Sequence, residues 1–332
     1  MRRRDVLRLG ASALGVLELA GFDSARAEDK IVLKASDVHP PGYPTVVAVE
    51  NMGKKLAAAT NGRLTIQMYP SMQLGGEKEA IEQAQIGAIQ LARVSVGALG
   101  PVVPDLNVFN LPFLFRDTAH MEKVIDGPIG QKLLDEVTDN PNTHLVGLCF
   151  MDAGSRNLYS IKKPIRTIAD LEGMKVRVMG NPIFVAMMND LGGNGVPMGY
   201  DQVFSALQTG VIDGAENNAP SYVFDHHYEV AKFYTLTEHL IVPEILVFSR
   251  PSWDKLSASD QALIKKLGRE AQLDERRLWN AKVQDAYAQM KKAGIEVIPI
   301  SDKTPWQKAV KPVWDQYGKQ FAPLIAQIET VK

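Results

Sequence analysis

This 332-residue sequence has one cysteine, no surplus of either charge and, past its N-terminus, no long apolar run. Each shortage removes a class of protein. The lone Cys149 can neither close an internal disulfide nor build a cysteine-based zinc site, so stability rests on packing. Lys and Arg number 37 against 38 Asp and Glu, which lacks the basic surplus a nucleic-acid binder needs for phosphate contacts. No later stretch reaches the ~18 uncharged apolar residues of a membrane span. Repeats at solenoid periods and low-complexity linkers are also missing. What is present, 45% hydrophobic and 23% charged residues, is the composition of a globular protein, with length for one large core or two ordinary ones.

The N-terminus reads as an address. Arg2, Arg3, Arg4 and Arg8 form a basic head, residues 9–22 form a short apolar stretch interrupted by Glu18, and Ala25-Arg26-Ala27 is a pattern that signal peptidases accept. Arg3-Arg4-Asp5-Val6-Leu7-Arg8 has the form of a twin-arginine signal. Cleavage before Glu28 leaves 32 basic and 35 acidic residues, a net charge of −3, on a protein exported to the periplasm. Free ATP and NAD are scarce there, which disfavours enzymes that depend on them.

Two rounds of alternating strand and helix follow. Residues 31–36 are β-rich, His39-Pro40-Pro41-Gly42-Tyr43-Pro44 cannot be helical, residues 45–60 carry apolar side chains at helical spacing, and 64–69 alternate as a half-buried strand does. A helix over 77–86 and a strand over 88–94 complete a β-α-β-α-β rhythm, the mark of a largely parallel sheet. The second round holds the apolar run 144–150 of a fully buried strand, a strand over 175–178, and helices over 182–191 and 202–209. The longest helical pattern, 257–293, spans ~55 Å if unbroken. A strand at 295–300 and an amphipathic tail over 305–328 end the chain. The fold class is α/β in two lobes. Without a marked linker the chain crosses between them more than once, a build that favours hinge closure over a cleft.

Several patterns that could carry chemistry fail on their surroundings. Gly192-Gly193-Asn194-Gly195 resembles a dinucleotide loop, yet it follows a helix, and Pro197 blocks the helix that would hold a pyrophosphate. His226-His227 with Glu229 and His239 suggests a metal, but adjacent histidines point to opposite faces of a strand or ~100° apart on a helix. No metal and no cofactor are expected. No Gly-x-Ser-x-Gly elbow occurs, and Cys149 sits in an apolar run as inert packing. What stands out is a set of arginines and amides at strand ends. Arg177 alternates with Val176 and Val178, so it points away from a core face or needs a carboxylate, which a ligand could supply. Arg156-Asn157 follows one strand-like run and Glu216-Asn217-Asn218 another. Ligands of open α/β sheets bind beyond the carboxyl ends of strands, so these groups together suggest anion capture.

The run Asp170-Leu171-Glu172-Gly173-Met174-Lys175-Val176-Arg177-Val178, followed by Asn181-Pro182, resembles the signature of solute-binding proteins of tripartite ATP-independent periplasmic (TRAP) transporters. Gly75-Gly76-Glu77, Leu111-Pro112-Phe113-Leu114-Phe115, Ser155-Arg156-Asn157 and the stretch 207–217 continue the resemblance in order along the mature chain. It implies a two-lobed, type II-like periplasmic binding protein fold with a long helix spanning both lobes. It also implies a binding protein rather than an enzyme, a small organic acid as ligand and a TRAP membrane permease as partner; a monomer is expected. The expected division is a signal peptide over 1–27, lobe I over 28–153 plus about 243–282, and lobe II over about 154–242 plus 283–332. Carried over by the resemblance, Arg177 is the carboxylate clamp, Arg156 the second arginine, and Asn217 the amide that completes carboxylate recognition. Glu77 faces the far end of the ligand, and the loop 37–40 with His39 lines the cleft.

A planar guanidinium holds a carboxylate by two charge-assisted hydrogen bonds in one orientation. Glu77 would accept hydrogen bonds from hydroxyls but repel a second carboxylate. That combination favours one acid group at the arginines and a polyol body towards Glu77 and His39, as in a hexuronate such as glucuronate or galacturonate. C4-dicarboxylates and sialic or keto acids held by the same clamp are the alternatives. A sugar-acid lyase or epimerase is the distant one, because only scattered histidines are available as a base.

Overall fold

The strands of residues 30–332, the part that this computed structural model describes, sort into two sheets. The signal-like segment, its twin-arginine motif and its cleavage point lie outside the described residues. Strands β1 (Ile31–Ser36), β2 (Leu64–Tyr69), β3 (Leu91–Ser95) and β4 (Leu145–Met151) belong to the first sheet. Strands β5 (Ser155–Ser160), β6 (Lys175–Val178), β7 (Asn194–Pro197), β8 (Gly214–Asn217) and β9 (Phe233–Ile241) form the second; β10 (Glu244–Ser249) returns to the first and β11 (Glu296–Pro299) to the second. The orders are β2-β1-β3-β10-β4 and β11-β9-β5-β8-β6-β7.

The expected parallel pairing is present in β2-β1-β3 and in β7-β6-β8, where helices such as Pro44–Ala59 and Pro182–Asp190 cross over between strands. It does not extend across either sheet. Strand β10 runs antiparallel to both β3 and β4, and β5 antiparallel to β8 and β9. The reason is connectivity: a strand that arrives straight from the other sheet, with no crossover helix, enters from the opposite end. Every residue of β4 and of β10 is buried, as in strands covered on both faces, although β4 is the edge strand of its sheet.

Three connections set the two sheets relative to one another. Asp152, Ala153 and Gly154 join β4 to β5, and Val242-Pro243 joins β9 to β10. The third is the helix Ala258–Lys292, 35 residues or ~52 Å long, capped by Ser257 accepting the Asp260 N–H. It packs on β4 and on helix Pro44–Ala59 at one side and on helix Ala219–Phe224 at the other. Trp279, midway along it, is buried with Tyr43 and Val46, beside Phe224. The C-terminal tail, grouped by the resemblance with the second lobe, runs against both sides. His120 Nε2 lies 3.0 Å from the Ile328 carbonyl and Trp314 donates to the Pro112 carbonyl at 3.0 Å, while Lys311–Val313 packs on Pro182–Asp190.

Candidate functional site

Strand β6 buries Val176 and Val178 in the core and, by alternation, turns Arg177 to the other face. Arg177 is 3% exposed. Its Nε and Nη2 donate to the Met198 carbonyl at 3.0 and 2.8 Å, and its guanidinium lies 5.7 Å from the Tyr200 ring centre. Among the described residues no carboxylate pairs with it. Burial therefore pushes its pKa below the ordinary guanidinium value, with the Glu216 charge only partly opposing.

Arg156 is the opposite case. Strands β5 and β8 pair with Leu158 opposite Glu216, which brings the Arg156 guanidinium onto Glu216. Nη2 donates to Glu216 Oε1 at 2.9 Å, Nε to Oε2, and Nη1 to Asn217 Oδ1 at 2.8 Å. Burial alone would raise the Glu216 carboxyl, but Arg156, with help from His239, holds it down at about 2. Asn217 Oδ1 also accepts the Asn218 N–H at 2.9 Å, so the Asn217 carbonyl is spent and its NH2 is not.

Facing this wall, the first sheet contributes carboxylates gathered around one arginine. Arg93 of β3 is 1% exposed, pairs with Asp37, and donates from Nη1 to Glu244 Oε2 at 2.6 Å. Glu244 stands opposite Ser95 in the β10–β3 register. Glu77, at the start of helix Glu77–Gln85, accepts the Ser95 N–H at 2.7 Å and sits 3.5 Å from Arg93 Nη1. Burial and the Glu77 charge raise the Glu244 carboxyl above its ordinary range against the pull of Arg93.

The five residues singled out from sequence, Arg177, Arg156, Asn217, Glu77 and His39, all line one small cavity between the sheets. His39 is stacked on Tyr43 at 3.7 Å between ring centres, with Nδ1 3.4 Å from Asp225 Oδ2, so Nε2 alone is open to a ligand. Arg93, Glu244, Tyr200 and Ser221 line the cavity too and were not foreseen. Arg93 carried the signal that marked Arg177: a guanidinium in the apolar strand Leu91-Ala92-Arg93-Val94. The histidines grouped by spacing go to separate partners. His226 meets Glu229 at the surface, His227 meets the Tyr159 hydroxyl, and His239 meets Thr237.

Contacts across the cavity fasten the two sides. Tyr43 Oη is 2.9 Å from Ser221 Oγ, Tyr200 donates to the Asp225 carboxylate that also faces His39, and Asn181 Nδ2 donates to the Gly97 carbonyl at 3.0 Å. The cavity thus has one end rich in unspent donors, on Arg177, Arg156 and Asn217, and one end of carboxylates around Arg93. This arrangement suits gripping a ligand that has one anionic end.

Comparison with known proteins agrees in fold. Residues 35–320 match the family described as bacterial extracellular solute-binding protein, family 7. A solute-binding protein of Chromohalobacter salexigens is 37% identical over 97% of this chain and 94% of its own. A TRAP periplasmic solute-binding protein of Pseudomonas putida F1, solved with bound D-glucuronate, is 54% identical at a TM-score of 0.89, covering 91% of this chain and 98% of that one. One from Citrobacter koseri is informative twice. With D-glucuronate bound it superposes at 0.89 (49% identity, 91% of this chain, 100% of that one), and in its ligand-free open form at 0.79 (47%, 90% and 99%). The present structure is thus more similar overall to the ligand-bound relative than to the open one.

Proposed function

Because the chain belongs to family 7 of the bacterial extracellular solute-binding proteins, TRAP transport components rather than enzymes, we propose that it captures a hexuronate, glucuronate or galacturonate, by closing its two sides on the sugar acid. It would deliver the ligand as a monomer to a TRAP permease at the periplasmic face of the membrane. Among the described residues no helix is long and apolar enough to cross a bilayer. The moving bodies are lobe I, 28–153 with about 243–282, and lobe II, about 154–242 with 283–332, the last segment also touching lobe I where Ile328 meets His120 and Trp314 meets Pro112.

The observation that carries this reading is the unpaired Arg177. A guanidinium buried to 3% exposure without a carboxylate is costly unless something anionic completes it, and the neighbouring Arg156 is already neutralised by Glu216. In the proposed complex Arg177 grips the ligand carboxylate, Asn217 donates its free NH2, and Arg156 adds the N–H left on Nη1. Glu77, Glu244 and His39 receive the hydroxyls at the far end. Uronates in the P. putida and C. koseri relatives support the same class here.

The test is a thermal-shift and calorimetric screen over hexuronates, C4-dicarboxylates and keto acids, with recovery of the acid afterwards. A uronate-specific stabilisation is expected, about 2.7 kcal/mol at a hundred times Kd, with the acid recovered unchanged. Preference for succinate or malate would replace the ligand assignment, and conversion of the acid would replace the binding reading.

A further inference from the structure

At three connections between the sheets the chain buries a carboxylate. Asp152 lies in the β4–β5 turn, Glu244 opens β10 after the Val242-Pro243 bend, and Glu275 sits mid-helix, one turn before Trp279. Their exposures are 1, 6 and 0%. Glu244 has Arg93 for company; the other two have no such partner. Glu275 Oε2 accepts the backbone N–H of Asp152 at 2.8 Å, and Asp152 Oδ1 accepts the Gly154 N–H at 2.8 Å. Glu275 Oε1 is buried with no hydrogen-bond partner, and Asp152 Oδ2 has no donor, the Asp152 carboxyl meeting only another carboxyl there, that of Glu122.

The surroundings do not supply the missing charge. Asp152 is in side-chain contact with Glu122 of helix Thr118–Asp126 and faces Arg276 and Glu275 of the long helix. Glu275 faces Asp152, Glu244 of β10, Cys149 of β4 and Arg276. Arg276 is the one cation among them, and Asp126 at 2.7 Å and Glu122 at 3.4 Å already hold it. Two dry carboxylates beside further acids cannot both stay ionised, whereas a proton on either turns an unmatched acceptor into a donor. The turn is also pressed against the helix at this point. Gly154 has φ +55°, and a Cβ built there would lie 3.2 Å from the Trp279 indole. A change of angle between the sheets has to pass through this contact.

We propose that Asp152 and Glu275 form a proton-holding pair at the hinge, protonated when the two sides close, so that capture of the acid takes up a proton and strengthens as pH falls. This rests on the reading above that the protein closes on a small acid. Burial, with nearby carboxylate charge adding to it, raises the Asp152 carboxyl to about 6 and the Glu275 carboxyl well above its ordinary value. A group raised in the closed form favours closure at low pH, and that contribution is lost as pH rises through its raised value. The clamp arginines keep their charge throughout this range.

The experiment is calorimetric titration with D-glucuronate and D-galacturonate at pH 5.5, 6.5 and 8, each in buffers of different ionisation enthalpy. Affinity is expected to fall about tenfold or more across the range, with buffer-dependent heat reporting proton uptake at the lower pH values. The Asp152→Asn/Glu275→Gln variant, isosteric with the protonated pair, is expected to bind with no uptake and a flat pH profile. A flat wild-type profile without uptake overturns the proposal, and so do uptake and pH dependence that persist in the variant, because they place the proton outside the pair. The wild-type heats decide the matter if the variant does not fold. If neither uronate binds at any pH, the functional reading fails separately. Infrared difference spectra of wild type against the variant then judge the pair: a protonated-carboxyl band titrating near or above pH 6 supports it, and its absence overturns it.

Discussion

Tyr43 and Ser221, 178 positions apart in sequence, meet across the cleft with Oη 2.9 Å from Oγ, both buried. The Tyr43 ring stacks on His39 on its own side and meets Phe224 edge-on at 5.5 Å from the other, so one side chain ties the ligand-facing loop to the opposite wall. Removing only the hydroxyl, in Tyr43→Phe, should leave this packing and the fold intact while loosening the closed state. A neutral buried hydrogen bond is worth about 0.5–1.5 kcal/mol, so Kd should rise roughly 2- to 12-fold, with the increase mostly in the off-rate. Stopped-flow release kinetics check this, and an unchanged off-rate would remove Tyr43 from the closing contacts.

The two clamp arginines should separate binding from stability. Arg177 has no carboxylate partner among the described residues, so Arg177→Ala should cost about 2–5 kcal/mol of uronate binding while the ligand-free melting temperature holds or rises. Arg177→Lys should not rescue it, since an ammonium cannot hold both carboxylate oxygens from a planar fork. Arg156→Ala removes the counter-charge of Glu216, which is fully buried, and should destabilise the fold itself by about 3–5 kcal/mol. Melting curves and titration calorimetry on the same preparations read both effects; two variants with the same profile would mean that the arginines share one role.

Acid stability should carry the signature of Glu216. Its carboxyl is held at about 2 against an ordinary value of 4.5, so the folded state is favoured by its ionisation above pH 4.5 and loses that advantage as pH falls towards 2. The contribution is on the order of 3 kcal/mol. Glu216→Gln should lower stability at pH 7 and flatten the decline between pH 4.5 and 2.5. Denaturant unfolding at stepped pH measures the difference between the two proteins, and parallel curves would place the acid sensitivity elsewhere.

The strands at 31–36, 64–69 and 175–178 and the long helix are readable because each repeats a simple period bounded by a stop signal, and their limits agree within a residue. Strands β5, β9 and β10 are not, because each pairs with strands distant in sequence and joins its neighbour through a bend without a Gly-rich turn. Arg177 was legible as a charge between two valines. Arg93 sits in an equally telling pattern, but its role depends on Asp37, Glu77 and Glu244, which come from three other elements and meet only after the first sheet forms. Glu244 follows Pro243 at the start of an unread strand and offers no local pattern at all. The part of the site that a single strand carries is visible in the sequence, and the part made by crossing chains is not.

Selectivity among acids should turn on Glu77. Its carboxylate is anchored by the Ser95 N–H and leans on Arg93, so it presents a fixed negative group to the end of the cavity away from Arg177. A uronate offers hydroxyls to it, whereas a C4-dicarboxylate offers a second negative charge that it and Glu244 repel. Glu77→Gln keeps the acceptor oxygen for Ser95 and removes the charge, so the fold should persist. Uronate affinity is expected to drop by about tenfold or less, as when one charge-assisted hydrogen bond becomes a neutral one, while the penalty against succinate and malate shrinks. A competition titration across the three acids gives the ranking directly. If the ratio of uronate to dicarboxylate affinity is the same in both proteins, the charge at position 77 does not choose the ligand, and the acidic groups around Arg93 serve only to hold that arginine in place.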